Sequence, residues 1–424
     1  MAVRTSRTTG DGFRSYEVYQ RERVGQSTEK IKPRQLISDA YRTDPYPVLE
    51  TLREHYPCYR DWLGNRYWIT RYDDVTSIFA DDANFETRSK RWFYGVPGYG
   101  RDLNSTVAVQ RVEEAVCDTR AAEIATSLIE ALAATGGGNL ATAFAAQLPL
   151  ELLREMLALP QDQAEHFDRA FWRAQRGAGW DPRLQEDGRA ALRELEAIVE
   201  PLVSKRRLDA GEDLISAMLG EAADLTAQDV VATLLERDHE TLHGALANLW
   251  RRLLVDADAR AEVGNDRRLM KLAYLETLRH SPPVLSARRF ARHEVERFGR
   301  LLPEGALLVC SAAAANRDPR VFEAPAEFVV DRRDLCQREP RGQYRADGLA
   351  TGIAFGLGKP SRYPAVPEDR PRSRYAITRD TAVAASMALL EAAPGIRLAD
   401  GAEPVLAALT VGEMHTCWKL PVTV

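Results

Sequence analysis

Four short motifs follow one another through the C-terminal part of the chain, and their order is the feature that most constrains the fold. They are Glu276-Thr277-Leu278-Arg279, Ala315-Asn316-Arg317-Asp318-Pro319-Arg320-Val321-Phe322, Phe328-Val329-Val330-Asp331-Arg332 and Phe355-Gly356-Leu357-Gly358. An isolated E-x-x-R is weak evidence, because any charged helix can contain one. The order E-x-x-R, A-N-R-D-P-x-x-F, F-x-x-x-R and F-G-x-G is much more specific. The fold is therefore predicted from the whole series and not from a single motif.

The series resembles that of the cytochrome P450 family, and the resemblance covers roughly residues 40–424. It implies a mainly α fold with a minor β region, the cytochrome P450 fold. We expect residues 36–424 to form a single domain of this kind, since a chain of 424 residues with 45% hydrophobic residues can bury a large core. Residues 1–35 are polar and lack periodic apolar positions, which predicts a loosely ordered N-terminal extension.

Hydrophobic spacing predicts where the main helices lie. Residues 46–53 have helical spacing, and residues 66–72 alternate as a strand does. Apolar residues recur every three or four positions in four longer runs, at 121–134, 148–157, 190–203 and 230–255. The glycine-containing segments 136–138 and 177–182 are predicted to be loops.

Composition argues against several classes of protein. The formal net charge of −5 gives no electrostatic reason to expect binding to nucleic acid or to an anionic membrane. No apolar run approaches the roughly 18 residues of a membrane span, and the N-terminus lacks the apolar core of a signal peptide. The five cysteines are scattered, which argues against a disulfide framework or a zinc site. We therefore expect a cytoplasmic protein without a metal site.

The segment that would hold the haem departs from the family pattern. In the family, the loop F-G-x-G-x-H/R-x-C places a cysteine thiolate on the haem iron, seven residues after the phenylalanine. Counting from Phe355 through Gly356 and Gly358, that place holds Arg362. An arginine stays protonated and offers no lone pair to iron. We therefore expect no cofactor, and haem b only if an unusual ligand such as Tyr363 replaced the cysteine.

The distal side departs from the family as well. There a long central helix carries A/G-G-x-D/E-T, whose small residues leave space for porphyrin and oxygen. This chain has Arg237 and Asp238 at the small positions, followed by His239 and the matching pair Glu240-Thr241. We expect Arg237 and Asp238 to project into the haem space. If the protein is an enzyme, the candidate catalytic residues are Arg237, Asp238, His239, Glu240 and Thr241.

The chain lacks most of the residues that bind the haem propionates in the family, but it keeps the residues of a buried structural network. The stretch 106–110 lacks the expected histidine and arginine, and Arg289 alone matches a propionate-binding arginine of the family. Glu276, Arg279 and Arg332 match the buried network that in the family joins a helix to the following loop. Loss of the ligand with retention of this network indicates a descendant that keeps the fold without the cofactor.

Three functions remain open. The first is a non-catalytic auxiliary partner of a biosynthetic enzyme, similar to the haem-free P450-like proteins that activate glycosyltransferases in antibiotic biosynthesis. The second is a cofactor-independent enzyme that uses the vacated cavity for cyclisation, hydration or elimination of a small-molecule substrate. The third is a monooxygenase with atypical haem ligation. If the protein is an enzyme, we expect charged residues around an enclosed pocket. If it is an auxiliary partner, we expect a filled cavity and an exposed apolar patch.

Overall fold

The computed structural model describes residues 31–79, 81–96, 98–237, 239–334, 371–408 and 414–424. Within these ranges the chain is mainly helical with short strands, as the sequence predicts. The α-helices are α1 Asp39–Thr43, α2 Tyr46–His55, α3 Tyr72–Phe79, α4 Lys90–Phe93, α5 Val107–Ala134, α6 Gln147–Leu157, α7 Ala164–Gly177, α8 Pro182–Leu208, α9 Leu214–Glu221, α10 Ala227–Leu235, α11 Glu240–Val255, α12 Ala257–Val263, α13 Arg267–His280, α14 Ala312–Ala315 and α15 Arg374–Ala392. No helix in these ranges combines the length and the apolar character that a membrane crossing requires.

The strands are short and form small sheets. They are β1 Cys58–Asp61, β2 Arg66–Ile69, β3 Phe85–Glu86, β4 Gly137–Asn139, β5 Ser286–Ala291, β6 Val295–Arg297, β7 Arg300–Leu302, β8 Leu307–Ser311, β9 Arg397–Leu398, β10 Val405–Ala408, β11 His415–Lys419 and β12 Pro421–Thr423. The largest sheet among the described residues has the order β1-β2-β8-β5-β3. Its β2–β8 pair is parallel and places Trp68 opposite Val309. This sheet separates two apolar clusters, one around Phe79 and Leu308 and the other around Trp68 and Leu49.

The helical core is built around α5, α11, α13 and α15. Trp250 on α11 is fully buried and donates from Nε1 to the Ser386 hydroxyl of α15 at 3.2 Å. Several of these helices begin at a side chain that accepts a backbone N–H, as Ser373 does at α15 and Asp266 at α13. Such caps satisfy the amides that have no partner inside the helix. The predicted helical runs at 121–134, 148–157 and 190–203 lie within α5, α6 and α8.

Three sequence expectations need correction. The run 230–255 is two helices, α10 and α11, with an interruption at residues 236–239. The predicted loop at 136–138 contributes to β4, which pairs with β12 in the register Val422 opposite Gly138. The packed part of the chain also begins before residue 36, because Ile31 is buried and its carbonyl accepts a hydrogen bond from the Tyr59 hydroxyl.

Candidate functional site

One side chain from α7 and one from the interruption itself stabilise the break in the central helix. The buried Gln175 amide, on α7, donates to the carbonyls of Leu234 at 3.4 Å and Leu235 at 3.2 Å. The Glu236 carboxylate accepts the backbone N–H groups of Lys90 at 3.0 Å and Arg91 at 3.2 Å. The Gln175 bonds replace partners that the last carbonyls of α10 lose where the helix stops, and the Glu236 bonds tie the interruption to the start of α4. The interruption is therefore stabilised by specific contacts, and the side chains of Arg237, His239 and Glu240 leave it in different directions.

The Arg237 side chain extends toward the N-terminal parts of α5 and α15. Its Nη2 atom lies 2.9 Å from Glu113 Oε2, and its Nη1 atom donates to Asn104 Oδ1 at 3.1 Å. Arg374 approaches the same two partners, with Nε 3.2 Å from Glu113 Oε2 and Nη2 2.7 Å from Asn104 Oδ1. We call Arg237, Glu113, Arg374 and Asn104 the charged cluster. It joins the interrupted central helix to the helix that follows the former ligand loop.

Opposite charges keep the charged cluster ionised despite its burial. Burial alone would raise the pKa of Glu113, but the guanidiniums of Arg237 and Arg374 outweigh it and lower that pKa. Burial lowers the pKa of Arg237, and Glu113 opposes this effect. Since an arginine remains protonated at neutral pH, one carboxylate lies between two cations. Removing it would leave Arg237 buried beside a second positive charge.

The other predicted catalytic residues do not converge on one place. His239 is buried with its ring 4.7 Å from the Trp172 ring, centroid to centroid. Arg237 and His239 line a small cavity of about 60 Å³ beside Glu113. Glu240 instead lines a separate, larger cavity of about 360 Å³. Thr241 is buried within α11, and Asp238 lies outside the described residues. Three of the five candidates thus line a cavity, and they are divided between two separate cavities.

The larger cavity, which we call the arginine cavity, was missed by sequence reasoning. It is lined by Arg42, Arg66, Trp172, Gln175, Arg176, Ala178, Gly179, Trp180, Asp181, Leu184, Glu240, Arg288 and Met414. Burial, together with the nearby charge of Arg66, lowers the pKa of Arg288 to about 10, and Glu240 opposes this shift. The four arginines come from distant parts of the chain, so no local sequence motif predicts that they share a cavity.

His243, one turn after His239, is a second residue that the sequence did not single out. It is fully buried, and its ring lies 5.6 Å from that of Trp172 and 5.2 Å from that of Trp418. Neither ring nitrogen has a hydrogen-bond partner in the described part of the chain. Burial lowers the pKa of His243 to about 3, so the ring is neutral at physiological pH.

The predicted scaffold network is brought together as the resemblance implies. Both oxygens of the buried Glu276 accept from Arg279, Oε1 from Nη2 and Oε2 from Nε, each at 2.7 Å. Oε1 also accepts from Arg332 Nε at 3.1 Å and from the Val329 N–H at 3.0 Å. Arg279 extends the network to the carbonyl of Asn316 at 3.0 Å. The network therefore ties α13 to the segment that ends at Arg332.

The loop that would carry the haem ligand is not among the residues that the structure describes. Phe355, Gly356, Gly358, Arg362 and Tyr363 lie outside the described residues, as does Cys336. Burial raises the thiol pKa of Cys117 and Cys310 to about 12 and that of Cys417 to about 11, which disfavours a thiolate. The Arg289 guanidinium stacks over the Phe79 ring, 4.5 Å from its centroid, and donates to the Arg288 carbonyl.

The end of the arginine-rich run 362–374 is tied to helices. Arg372 forms ion pairs with Glu114 at 2.7 Å, with Asp380 at 2.8 Å and with Asp118. Arg374 belongs to the charged cluster. Both arginines thus have protein carboxylates as partners, which favours a structural role for this end of the run over phosphate binding. The preceding residues of the run, up to Arg370, lie outside the described ranges.

We expect Glu113→Gln to lower the free energy of unfolding by about 3 kcal/mol, the low end of the range for breaking a buried ion pair. The substitution keeps the shape of the side chain but leaves Arg237 and Arg374 without their shared carboxylate. Urea denaturation followed by circular dichroism measures the change. Glu114→Gln is the matched control, because Arg372 keeps Asp118 and Asp380 when Glu114 is lost. Equal effects of the two variants would contradict the importance of the charged cluster.

Comparison with known proteins identifies the family. No family model matches the chain. The chain is 26% identical over 366 residues to a vitamin D(3) 25-hydroxylase of Pseudonocardia autotrophica, covering 78% of this chain and 86% of that protein. It is 28% identical over 356 residues to the cytochrome P450 monooxygenase PikC of Streptomyces venezuelae, covering 76% and 82%.

Solved structures share the fold. The structure of CYP109E1 from Bacillus megaterium in complex with testosterone matches with a TM-score of 0.70 at 19% identity, covering 90% of this chain and 99% of that one. CYP109B1 from Bacillus subtilis matches with a TM-score of 0.69 at 21% identity, covering 90% and 100%. Together with the curated relatives and the Glu276 network, this likeness shows that the chain belongs to the cytochrome P450 superfamily.

Proposed function

We propose that this member of the P450 superfamily works without haem, as a non-catalytic auxiliary partner of a biosynthetic enzyme in cytoplasmic secondary metabolism. Relatives with names from this area include a 6-deoxyerythronolide B hydroxylase of Saccharopolyspora erythraea and PikC. Thiolate-bound haem would activate oxygen in a P450. This chain has Arg362 at the ligand position, which removes that chemistry from the proposal.

The observation that carries the haem-free proposal is the charged cluster. The carboxylate of Glu113 lies within 2.9 Å of Arg237, on the interrupted central helix, and within 3.2 Å of Arg374, at the start of α15. One side chain thus bridges the central helix and the helix after the former ligand loop. Buried charges are stable only with such partners, and the cluster supplies them from protein alone.

The auxiliary role follows from what remains once iron chemistry is set aside. Glu276 is bonded to both Arg279 and Arg332, which supports a stably folded protein. A folded protein without its original reaction can still stabilise a partner by binding its native state. A glycosyltransferase is the partner class that the resemblance suggests. If the proposal is correct, adding the purified protein should raise the activity and the melting temperature of its partner enzyme.

A cofactor-independent enzyme is the second candidate, and one observation favours it. Glu240 lines the arginine cavity together with Arg288, and that cavity of about 360 Å³ is large enough for a small substrate. A carboxylate beside a guanidinium can act as a general base. Of the predicted candidates that the structure describes, only Glu240 lines the larger cavity. Arg237 and His239 then have a structural role and no catalytic one.

The first test is the absorption spectrum of the protein purified from cells supplied with a haem precursor. We expect no stoichiometric Soret band, before or after reduction and addition of carbon monoxide, because position 362 offers iron no lone pair. PikC produced in the same cells is the control for haem supply. A Soret band at one haem per folded chain would overturn the proposal and direct attention to Tyr363 or Cys336 as ligand.

A further inference from the structure

We propose that the arginine cavity binds a small organic acid, with one carboxylate attached to a flat apolar body. The inference names the ligand class of the site that contains Glu240. It rests on the proposed function only in that the acid is held without iron chemistry. None of the motifs in the sequence points to this ligand. The charges, the aromatic walls and the size of the cavity indicate it.

The charge balance around the cavity favours an anion. Four guanidiniums line it, from Arg42, Arg66, Arg176 and Arg288, against the carboxylates of Asp181 and Glu240. A third carboxylate, Asp61, lies outside the lining and is 2.8 Å from Arg66 Nε. Among the described side chains, the lining itself thus has four guanidiniums and two carboxylates, and the acids outside it, Asp61 and Asp39, lie beside Arg66 and Arg42. A carboxylate ligand would enter a lining in which guanidiniums outnumber carboxylates.

Two acidic side chains near the cavity neutralise its arginines only weakly. The Asp181 carboxylate accepts the Arg183 N–H at 2.9 Å and so caps α8. Asp39, the partner of Arg42, is 3.5 Å away and almost fully exposed, and an ion pair of this kind contributes little. Arginine is also the side chain best suited to a carboxylate, because its planar fork can donate two parallel hydrogen bonds.

Aromatic rings supply a surface for the apolar body of the ligand. Trp172 and Trp180 both line the cavity. Trp180 belongs to a ring cluster in which its centroid lies 5.6 Å from that of Trp92 and 5.1 Å from that of Phe93. The Arg288 guanidinium lies over the Phe93 ring at 4.8 Å, so one cavity arginine is held in place by the same rings. A flat body can stack on such indoles while its acid meets a guanidinium.

The cavity volume limits the ligand to a small molecule. A volume of about 360 Å³ lies near the lower end of the range of ligand pockets, which is roughly 300–1,000 Å³. One or two fused rings with an acid group match this size. Long-chain acids and polymers would extend well beyond it.

Isothermal titration calorimetry with two probes of equal shape tests the inference. We expect 2-naphthoate to bind and 2-naphthalenemethanol, its neutral counterpart, to bind at least about tenfold more weakly, because the charge-assisted hydrogen bonds are lost. The preference should shrink as the salt concentration rises. Absence of naphthoate binding, or equal affinity for the two probes, would overturn the inference.

Matched variants locate the binding to the cavity. Arg176→Gln should weaken naphthoate about tenfold, whereas Arg169→Gln should leave it unchanged. Both arginines are exposed and lie on α7, but only Arg176 lines the cavity. Glu240→Gln should tighten naphthoate binding, since it removes a negative charge from the lining. A melting curve for each variant shows that it is folded, and equal affinities of the Arg176 and Arg169 variants would place the site elsewhere.

The two proposals can fail separately. A protein that shows a Soret band and still prefers naphthoate refutes the haem-free function but keeps the ligand class of the cavity. A haem-free protein that does not discriminate between the probes refutes the ligand class alone.

Discussion

Replacing Glu276 with glutamine is expected to remove about 4–5 kcal/mol from the free energy of unfolding, the upper part of the range for breaking a buried ion pair. Glu276 and Arg279 are fully buried, and Arg332 is nearly so. Glutamine keeps the shape of the side chain but supplies no negative charge. The Arg279 guanidinium would then remain in the interior without its counter-charge, and Arg332 would keep only the longer contact to Asp334, at 3.3 Å. Such a loss is a large share of the stability of an ordinary domain.

Glu327→Gln is the matched control for this experiment. Its side chain is exposed, although its backbone carbonyl accepts from Arg279 and from Arg332, at 2.8 Å and 3.0 Å. The substitution should change the stability by less than about 0.5 kcal/mol. Urea denaturation of both variants, with unchanged m-values, gives the comparison. A loss below about 1 kcal/mol for Glu276→Gln would show that the network does not hold the segment to α13.

The second large effect is a loss of stability in mild acid, caused by buried histidines. Burial lowers the pKa of His243 to about 3, and it lowers that of His280 to about 2 with help from Arg317. The pKa of His415 is lowered in the same direction by burial. In the unfolded chain these rings take up a proton near pH 6.5. Between pH 6.5 and about 3 the unfolded state therefore binds more protons than the folded state, and stability falls as the pH falls.

His243→Phe isolates one part of this effect. Each histidine that stays neutral only in the folded state contributes about 1.4 kcal/mol of lost stability per pH unit. Phenylalanine fits between Trp172 and Trp418 and carries no proton, so the slope of stability against pH should decrease by about that amount. His293→Phe, at an exposed position, should leave the slope unchanged. A slope that His243→Phe does not alter would mean that His243 is protonated in the folded protein.

Sequence reasoning succeeded where the information is local or follows the family pattern. The periodic apolar positions of 148–157 match α6 almost residue for residue, and Glu276, Arg279 and Arg332 meet as the motifs imply. It failed at residues 236–239, which contain neither glycine nor proline to stop a helix. The stop depends on Gln175, from a distant helix, which a single sequence does not reveal.

The arginine cavity was out of reach for the same reason. Arg42, Arg66, Arg176 and Arg288 are far apart in the chain, and each one looks like an ordinary surface arginine. Only the packing of α1, β2, α7 and β5 brings them together. That Arg237 and Asp238 project into the haem space stays a prediction, because Asp238 lies outside the described residues. What the sequence did not reveal is that Arg237 pairs with Glu113.

The interruption at residues 236–239 also changes the electrostatics in the middle of the protein. An unbroken helix has its partial charges only at its two distant ends, whereas two shorter helices place a partial negative end and a partial positive end close together. The described side chains match this arrangement. Lys90 Nζ lies 3.4 Å from the carbonyl of Arg237, just beyond the negative end of α10, and Glu240 occupies the first turn at the positive end of α11. The chain thus has a permanent dipole pair at its centre, with each pole matched by a charge of its own.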